Sequence, residues 1–285
     1  MGGEAVTLVQ PVYEVDGWAA NTIDADGVEW WVTKEDGWSG GPGVRLELSD
    51  RPQRDGSFDA PSFRSARVIT LAGTAIAPED GARERAKDRL AALLVDGTGL
   101  TPLVVAERTL RRTALVRLSS AIKIVDTTPV SFDWSVQVTA PDPLRYGELH
   151  DAPCGLPRPG PGIVFPVLFP VRFGEPSDGR LVLANRGTAT AWPLWTITGP
   201  CVRPVIRNTA TGERLEFTLS LVEGDKLTVD TAARTVIYNQ ASRRAALVPG
   251  SRWFGLKPGA TTVTFGAFDE TASATLTASW RDAWI

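Results

Sequence analysis

Apolar and polar residues alternate one by one along most of this 285-residue chain, and this period of two constrains its fold more than any other feature. Successive side chains of a β-strand point to opposite faces, so the alternation predicts strands with one buried and one solvent-exposed face. Shorter stretches of this kind predict strands at 5–9, 28–33, 44–48, 66–75, 110–118 and 121–125. The clearest stretch, 130–138, has apolar residues at Val130, Phe132, Trp134, Val136 and Val138. The N-terminal half is therefore predicted to be mainly antiparallel β-sheet.

One segment, 79–95, departs from the alternation. Its apolar residues recur every three or four positions, which is the spacing of a single buried stripe on an α-helix. The stripe consists of Ala82, Ala86, Leu90 and Leu93 or Leu94. We predict one amphipathic helix that packs on the sheet.

The composition excludes several kinds of site. The chain has 30 Lys and Arg against 33 Asp and Glu, so it lacks the net basic charge that attracts nucleic acid. His150, Cys154 and Cys201 are its only histidine and cysteines, too few for a zinc site, and we expect the cysteines to be reduced. No metal or other cofactor is expected. The apolar stretch 160–171 is short and contains prolines, so we also expect no membrane insertion.

The second half reads as a separate β-domain. A proline-rich segment at 149–178 interrupts the strand pattern and is predicted to be a linker, with His150 outside the domain that follows. Eight short strands follow at 180–184, 191–197, 202–207, 214–219, 226–229, 235–238, 262–265 and 274–280. Short strands at such regular spacing are typical of an antiparallel sandwich or barrel.

Three groups of residues are candidates for contacts between subunits. Trp30 and Trp31 are adjacent, so on a strand they point to opposite faces and at least one leaves its own sheet's core face. Arginines line the polar side of the helix and the ribbon at 103–118, where ordinary solvated surface is the alternative. The candidates are Trp30, Trp31, Arg83, Arg85, Arg89, Arg108, Arg111 and Arg112.

Paired carboxylates near turns, such as Glu213 and Glu216, could in principle serve a glycosidase. Their positions favour turn capping or solvated strand edges, so no catalytic residue is assigned. Exposed tryptophans on a β-sandwich could instead stack on sugars, since the indole ring combines a large apolar face with one polar N–H. A carbohydrate-binding adhesin is therefore the alternative to a purely structural protein.

The order of several motifs resembles the distal tail proteins of phages with long, flexible tails. The segment GPGVRLELSDRPQRDGSFDAPSFRSARVITLAGTAIA at 41–77 leads into the helix, the ribbon and DPLRYGE at 142–148. The second half contains WPLWTITGP at 192–200, GDKLTVDTAARTV at 224–236 and SRWFGLKPGATTVTF at 251–265. The resemblance implies a belt domain at 1–148, the linker at 149–178 and a galectin-like β-sandwich at 179–285.

The resemblance also implies a structural role in the virion, not an enzymatic one. Such proteins form a hexameric ring at the tail tip, so the implied partners are further copies of this chain, the tail tube protein and the tail-tip hub of the baseplate. The expected location is the tail of a siphovirus particle, after synthesis in the host cytoplasm. Sugar binding does not follow from the galectin-like fold alone.

Overall fold

The computed structural model describes residues 6–157, 178–268 and 273–285. Within it the chain forms two compact units, Met1–Gly147 together with Ile285, and Glu148–Trp284, here called the N-terminal and C-terminal units. About half of the described residues of each unit lie in antiparallel strands. The predicted fold class, mainly β with one amphipathic helix, is confirmed.

The N-terminal unit contains fourteen of the strands, the helix and the start of β15. They are β1 (Val6–Thr7), β2 (Val12–Val15), β3 (Trp18–Ala20), β4 (Thr22–Ile23), β5 (Glu29–Asp36), β6 (Val44–Arg45), β7 (Ser49–Asp50), β8 (Ser57–Phe58), β9 (Phe63–Arg64), β10 (Arg67–Ile76), α1 (Asp80–Ala91), β11 (Thr101–Ala106), β12 (Arg111–Leu118), β13 (Lys123–Thr128), β14 (Ser131–Ala140) and β15 (Arg145–Gly155).

Two antiparallel layers enclose the core of this unit. One runs β1-β4-β5-β10-β14 with β13 beside β14, and the other runs β3-β2-β11-β12. The end of β12 also pairs with β14, so this strand connects the layers. The alternation in β14 buries Phe132, Trp134, Val136 and Val138. The predicted strand and its inward face are confirmed from Phe132 to Val138. Val130 lies in the turn before β14 and is exposed, so its predicted place on the buried face is wrong.

The helix α1 is confirmed over 80–91, where its buried residues are Ala82, Ala86 and Leu90. Small alanines let the helix approach the strands closely, and all three belong to the same hydrophobic core as the sheet residues. The predicted helix extends too far, because Leu94 has a φ of 56° and the helical geometry has ended before it. Leu93 and Leu94 are still buried in that core.

The C-terminal unit is built from the remaining strands. They are β16 (Arg180–Asn185), β17 (Leu194–Thr198), β18 (Cys201–Val202), β19 (Val205–Asn208), β20 (Arg214–Glu216), β21 (Ser220–Leu221), β22 (Lys226–Asp230), β23 (Thr235–Tyr238), β24 (Ala241–Ser242), a 3₁₀ turn (Arg244–Ala246), β25 (Gly259–Gly266) and β26 (Thr275–Trp284). One sheet runs β26-β17-β22-β23-β24 and the other β16-β25-β19-β20.

One strand of each sheet shows the alternation of burial clearly. Trp195 and Ile197 on β17 are buried between exposed or half-buried residues, and Leu181 and Leu183 on β16 are buried between exposed ones. The chain end is held by β26, where the Ala189 N–H donates to the Ala283 oxygen at 2.9 Å. Gly187 must be glycine, because a Cβ there would lie 1.8 Å from that same oxygen.

The proline-rich segment differs in part from the prediction. Strand β15 extends to Gly155, so 149–155 form strand and not linker; a strand tolerates Pro153 where no ladder hydrogen bond needs its nitrogen. His150, expected outside the sandwich, lies on β15 with its Nε2 3.5 Å from the Asp282 Oδ2 of β26. Most of the segment, 158–177, lies outside the described residues.

Candidate assembly surfaces

Residues 43–65 of the N-terminal unit, here called the arm, form a paired segment that carries several exposed apolar side chains. Its two halves pair through β6 with β9 and β7 with β8. The base is closed by a hydrogen bond of 2.8 Å from the Ser65 N–H to the Gly43 oxygen. Five large apolar side chains of the arm are at least half exposed: Val44, Leu46, Leu48, Phe58 and Phe63. None of them contributes to the core.

Arginines flank the two phenylalanines of the arm. The Arg45 guanidinium lies 5.7 Å from the centre of the Phe63 ring, and that of Arg51 lies 5.6 Å from the Phe58 ring. These cation–π contacts are local and leave both rings more than half exposed. The register pairs Phe63 with Arg45 and Val44 with Arg64, so Val44 and Phe63 lie on opposite faces of the arm. The arm therefore exposes apolar side chains on both faces, each with charged residues beside them, for another protein to contact.

The loop leading into the arm is held by Arg67, which is fully buried on β10. Its guanidinium donates to the backbone oxygens of Gly37 at 2.6 Å, Trp38 at 3.1 Å, Gly40 at 2.6 Å and Pro143 at 2.9 Å. The loop lies close against the strand at Gly37, where a Cβ would be 1.8 Å from the Val68 oxygen. One side chain therefore fixes the chain just before the arm.

A second buried arginine, Arg145, supports the same loop. It donates to the Trp38 oxygen at 2.8 Å and its guanidinium lies 5.5 Å from the centre of the Trp38 ring. Glu107 accepts a hydrogen bond from the Trp38 indole at 3.3 Å and pairs with Arg112. Burial, reinforced by the charges of Arg112 and Arg67, lowers the pKa of Arg145 to about 10. Arg145 therefore stays charged at neutral pH, surrounded by acceptors.

Of the two adjacent tryptophans, only Trp31 remains open to a neighbour. Trp30 is 1% exposed, packs edge-to-face on Trp18 at 5.6 Å and donates to Asp24 at 2.9 Å. Because Trp30 is buried in the core of its own unit, it is no longer a candidate for the interface between subunits. Trp31 points the other way and is partly exposed, with its indole donating to Glu29 at 2.9 Å.

The arginines of the helix are held by carboxylates or carbonyls of their own unit. Arg83 is largely covered; it pairs with Asp80 at 2.9 Å and donates to the Thr128 oxygen at 2.9 Å. Arg89 is about half exposed and bridges to the carboxylates of Asp24 and Asp26. Arg85 is the most exposed of the three, with Asp26 and Glu79 at 3.8 and 3.9 Å.

The ribbon arginines lie in different surroundings. Arg112 is largely buried in the cluster around Trp38, whereas Arg111 is exposed and pairs with Glu14 at 3.0 Å. Arg108 is exposed in the turn between β11 and β12. The structure therefore does not bring the eight sequence candidates together into one patch. An interface role for the exposed ones stays a prediction.

Two further features bear on function. Among the described residues, no three His, Cys, Asp or Glu side chains are grouped closely enough to hold a metal ion. In the same ranges, no helix is long and apolar enough to cross a membrane.

Residues 186–284 match a family described as siphovirus-type tail component, C-terminal domain. The C-terminal unit belongs to this family. No curated protein matches the chain.

The fold of the whole chain is also similar to a solved structure. The crystal structure of SPP1 Dit (gp 19.1), described as a paradigm of the hub adsorption apparatus in phages that infect Gram-positive bacteria, aligns with a TM-score of 0.63. The alignment covers 97% of this chain and 100% of SPP1 Dit at 15% identity, and it shows a shared fold. The phage P2 baseplate in its activated conformation with Ca aligns with a TM-score of 0.45 and 8% identity.

These findings confirm the resemblance to distal tail proteins inferred from the sequence, and with it the role of a structural tail component. The belt and galectin-like domain names and the hexameric ring stay predictions. The arm and the roles of the buried Arg67 and Arg145 were not predicted from the sequence. One signal was present: Val44, Leu46 and Leu48 alternate like a strand, but two prolines and several charges follow before the next apolar run, so no core partner is nearby.

Proposed function

We propose that this tail component forms a closed hexameric ring at the distal end of the tail, joining the last ring of the tail tube to the tail-tip hub. The observation that carries the proposal is the family of the C-terminal unit, residues 186–284. Full-length similarity in fold to SPP1 Dit, a protein described as part of a hub adsorption apparatus, supports it.

We assign the arm to the contact between neighbouring copies. A ring needs a heterologous contact, in which one surface of each copy meets a different surface of the next, and the contact must close by rotation. An arm that projects from its unit and exposes five large apolar side chains suits one side of such a contact. Its buried arginine anchor would hold it in position before assembly.

The proposed role is structural and not catalytic. The family is described as a tail component. The buried residues Arg67 and Trp38 of the N-terminal unit support the root of the arm. The proposed location is the tail tip of the virion, after synthesis in the host cytoplasm.

Light scattering behind size exclusion, over a range of concentrations, tests the ring. We expect a mass near a sixfold multiple of 30.6 kDa, either for the chain alone or after addition of its tail tube protein. A monomer at every concentration, both alone and with the tube protein, would contradict the proposal.

The alternative of a carbohydrate-binding adhesin has one supporting observation, a cleft between Trp192 and Trp253. Sugar binding at this cleft is compatible with a ring and is a separate property of the C-terminal unit.

A further inference from the structure

The C-terminal unit has a cleft of about 330 Å³ to which the proposed ring assigns no role. Two tryptophan rings, Trp192 and Trp253, line it together with polar side chains that include Thr211, Glu213 and Lys257. Clefts that bind small molecules have volumes of about 300 to 1,000 Å³ and combine apolar walls with a few polar groups. This cleft lies at the small end of that range.

The aromatic wall is set by the backbone. The Ala191 N–H donates to the Leu256 oxygen at 2.9 Å, and the Leu256 N–H donates back at 2.7 Å, which fixes the two segments side by side. In the second segment Phe254 and Leu256 are buried, so the alternating positions Trp253 and Gly255 face outward. Phe254 packs on the core residue Trp195 with ring centres 6.0 Å apart.

Gly255 brings the wall together. A Cβ at this position would lie 2.4 Å from the Thr190 methyl group and 3.3 Å from the Trp192 ring. Glycine therefore allows Trp192 to lie directly against the segment that carries Trp253. Trp192 nevertheless keeps 41% of its surface exposed, which is unusual for so large an apolar side chain.

The opposite wall is a rigid turn. The buried Asn208 side chain accepts hydrogen bonds from the N–H groups of Ala210 at 3.0 Å and Thr211 at 3.3 Å. The Gly212 N–H donates to the Asn208 backbone oxygen at 2.9 Å. The Thr211 hydroxyl donates to the Glu213 carboxylate at 2.9 Å. This network holds a hydroxyl and a carboxylate at the edge of the cleft.

The charges at the edge are not neutralised by salt bridges. In the described ranges, neither Glu213 nor Lys257 lies within 4.0 Å of an oppositely charged group. A carboxylate accepts hydrogen bonds and an ammonium group donates them, so the pair can serve hydroxyl groups in both directions. The two opposite charges offset each other, so the cleft has no net charge that favours an ionic ligand over a neutral one.

We propose that this cleft binds one or two neutral sugar rings. The apolar C–H face of a pyranose would stack on the exposed indole rings, while its hydroxyls would hydrogen-bond with Glu213, Lys257 and Thr211. The cleft volume suits a terminal mono- or disaccharide unit better than a long polymer. The inference uses the C-terminal unit alone and does not depend on ring formation.

Titration calorimetry of the full chain tests the proposal with glucose, galactose, rhamnose, N-acetylglucosamine and N-acetylgalactosamine, and with acidic N-acetylneuraminic acid for comparison. We expect saturable binding of at least one neutral sugar. Trp192→Ala and Trp253→Ala should each weaken it at least about tenfold, and Lys257→Ala by several-fold. Phe268→Ala is the matched control, since Phe268 is an exposed aromatic residue outside the cleft and its loss should leave binding unchanged.

Each variant is first compared with the parent chain by thermal melting. If a tryptophan variant does not fold, the surface variants Lys257→Ala and Glu213→Gln carry the test, because neither side chain is buried. No saturable binding of any neutral sugar would overturn the proposal. So would tighter binding of the acidic sugar, or binding that the folded cleft variants leave unchanged.

Discussion

Arg67 shows how one buried side chain can hold a loop through the backbone of that loop. The loop before the arm contains two glycines that contact it, Gly37 and Gly40, and neither offers a side chain to a core. The buried Trp38 packs the loop into the core, and the Arg67 guanidinium adds hydrogen bonds to the backbone oxygens on both sides of it. The sequence gives no sign of this role, because a lone arginine at the start of a strand is ordinarily exposed.

Replacing Arg67 with alanine should lower the free energy of unfolding by about 3 kcal/mol or more, because four backbone oxygens lose their donor inside the protein. Chemical denaturation monitored by tryptophan fluorescence measures the change. The control is Arg108→Ala, an exposed arginine whose loss should cost no more than about 0.5 kcal/mol. Equal stabilities of the two variants would show that the buried hydrogen bonds contribute little.

The two free cysteines should react slowly in the native protein. Burial raises the pKa of Cys154 and of Cys201 to about 11. Only the thiolate is a strong nucleophile, so near pH 8 the reactive fraction of each is on the order of one in a thousand. Alkylation by iodoacetamide, followed by mass spectrometry, should be at least about tenfold slower than in the denatured chain. Native and denatured rates that agree would disprove the protection.

At the scale of elements, the spacing of apolar residues predicted those strands and the helix whose own residues pack into the core. β14, α1 and β23 appear where the alternation or the helical stripe places them. The strands β3 and β4 were missed because they have only three and two residues. β2 was missed because Val12 and Tyr13 are both buried, so its burial does not alternate. The stretch 44–48 alternates like a core strand, yet it forms part of the exposed arm. Whether an alternating row of apolar side chains becomes buried depends on which elements pack against it, and these lie far away in the sequence or in another chain.

The arm should be dispensable for folding and necessary for assembly. Because Gly43 and Ser65 are already hydrogen-bonded, a short Gly-Ser turn can replace residues 44–64 with little strain. We expect the melting temperature to change by no more than a few degrees, about 1 kcal/mol or less, while the oligomer mass falls to that of the monomer. Circular dichroism and light scattering measure the two effects.

The control removes an exposed apolar side chain that lies outside the arm. Val125→Ser on β13 also deletes exposed apolar surface from the N-terminal unit, and it should leave the oligomer intact. A shortened variant that still forms the full oligomer would remove the arm from the proposed contact. A variant that fails to fold would show that the arm supports its own unit.

At the scale of the whole molecule, the order of motifs was more informative than any single one. No short motif in the chain identifies it, but the fold aligns with SPP1 Dit over 97% of the chain despite 15% identity. Fold can persist where sequence has diverged, since many residues satisfy one pattern of burial. Subunit contacts left no comparable pattern, because the candidate arginines serve contacts within their own unit as readily as between units.

Antibody labelling of virions tests the central claim most directly. Antibodies raised against the C-terminal unit, applied to particles of the phage that encodes this chain, would be located by electron microscopy. The account predicts labels confined to the end of the tail opposite the capsid. No labels are expected when the antibodies are first incubated with the free chain as competitor. Labels on the capsid or along the whole tail, or virions whose dissociated proteins lack this chain in mass spectrometry, would contradict it.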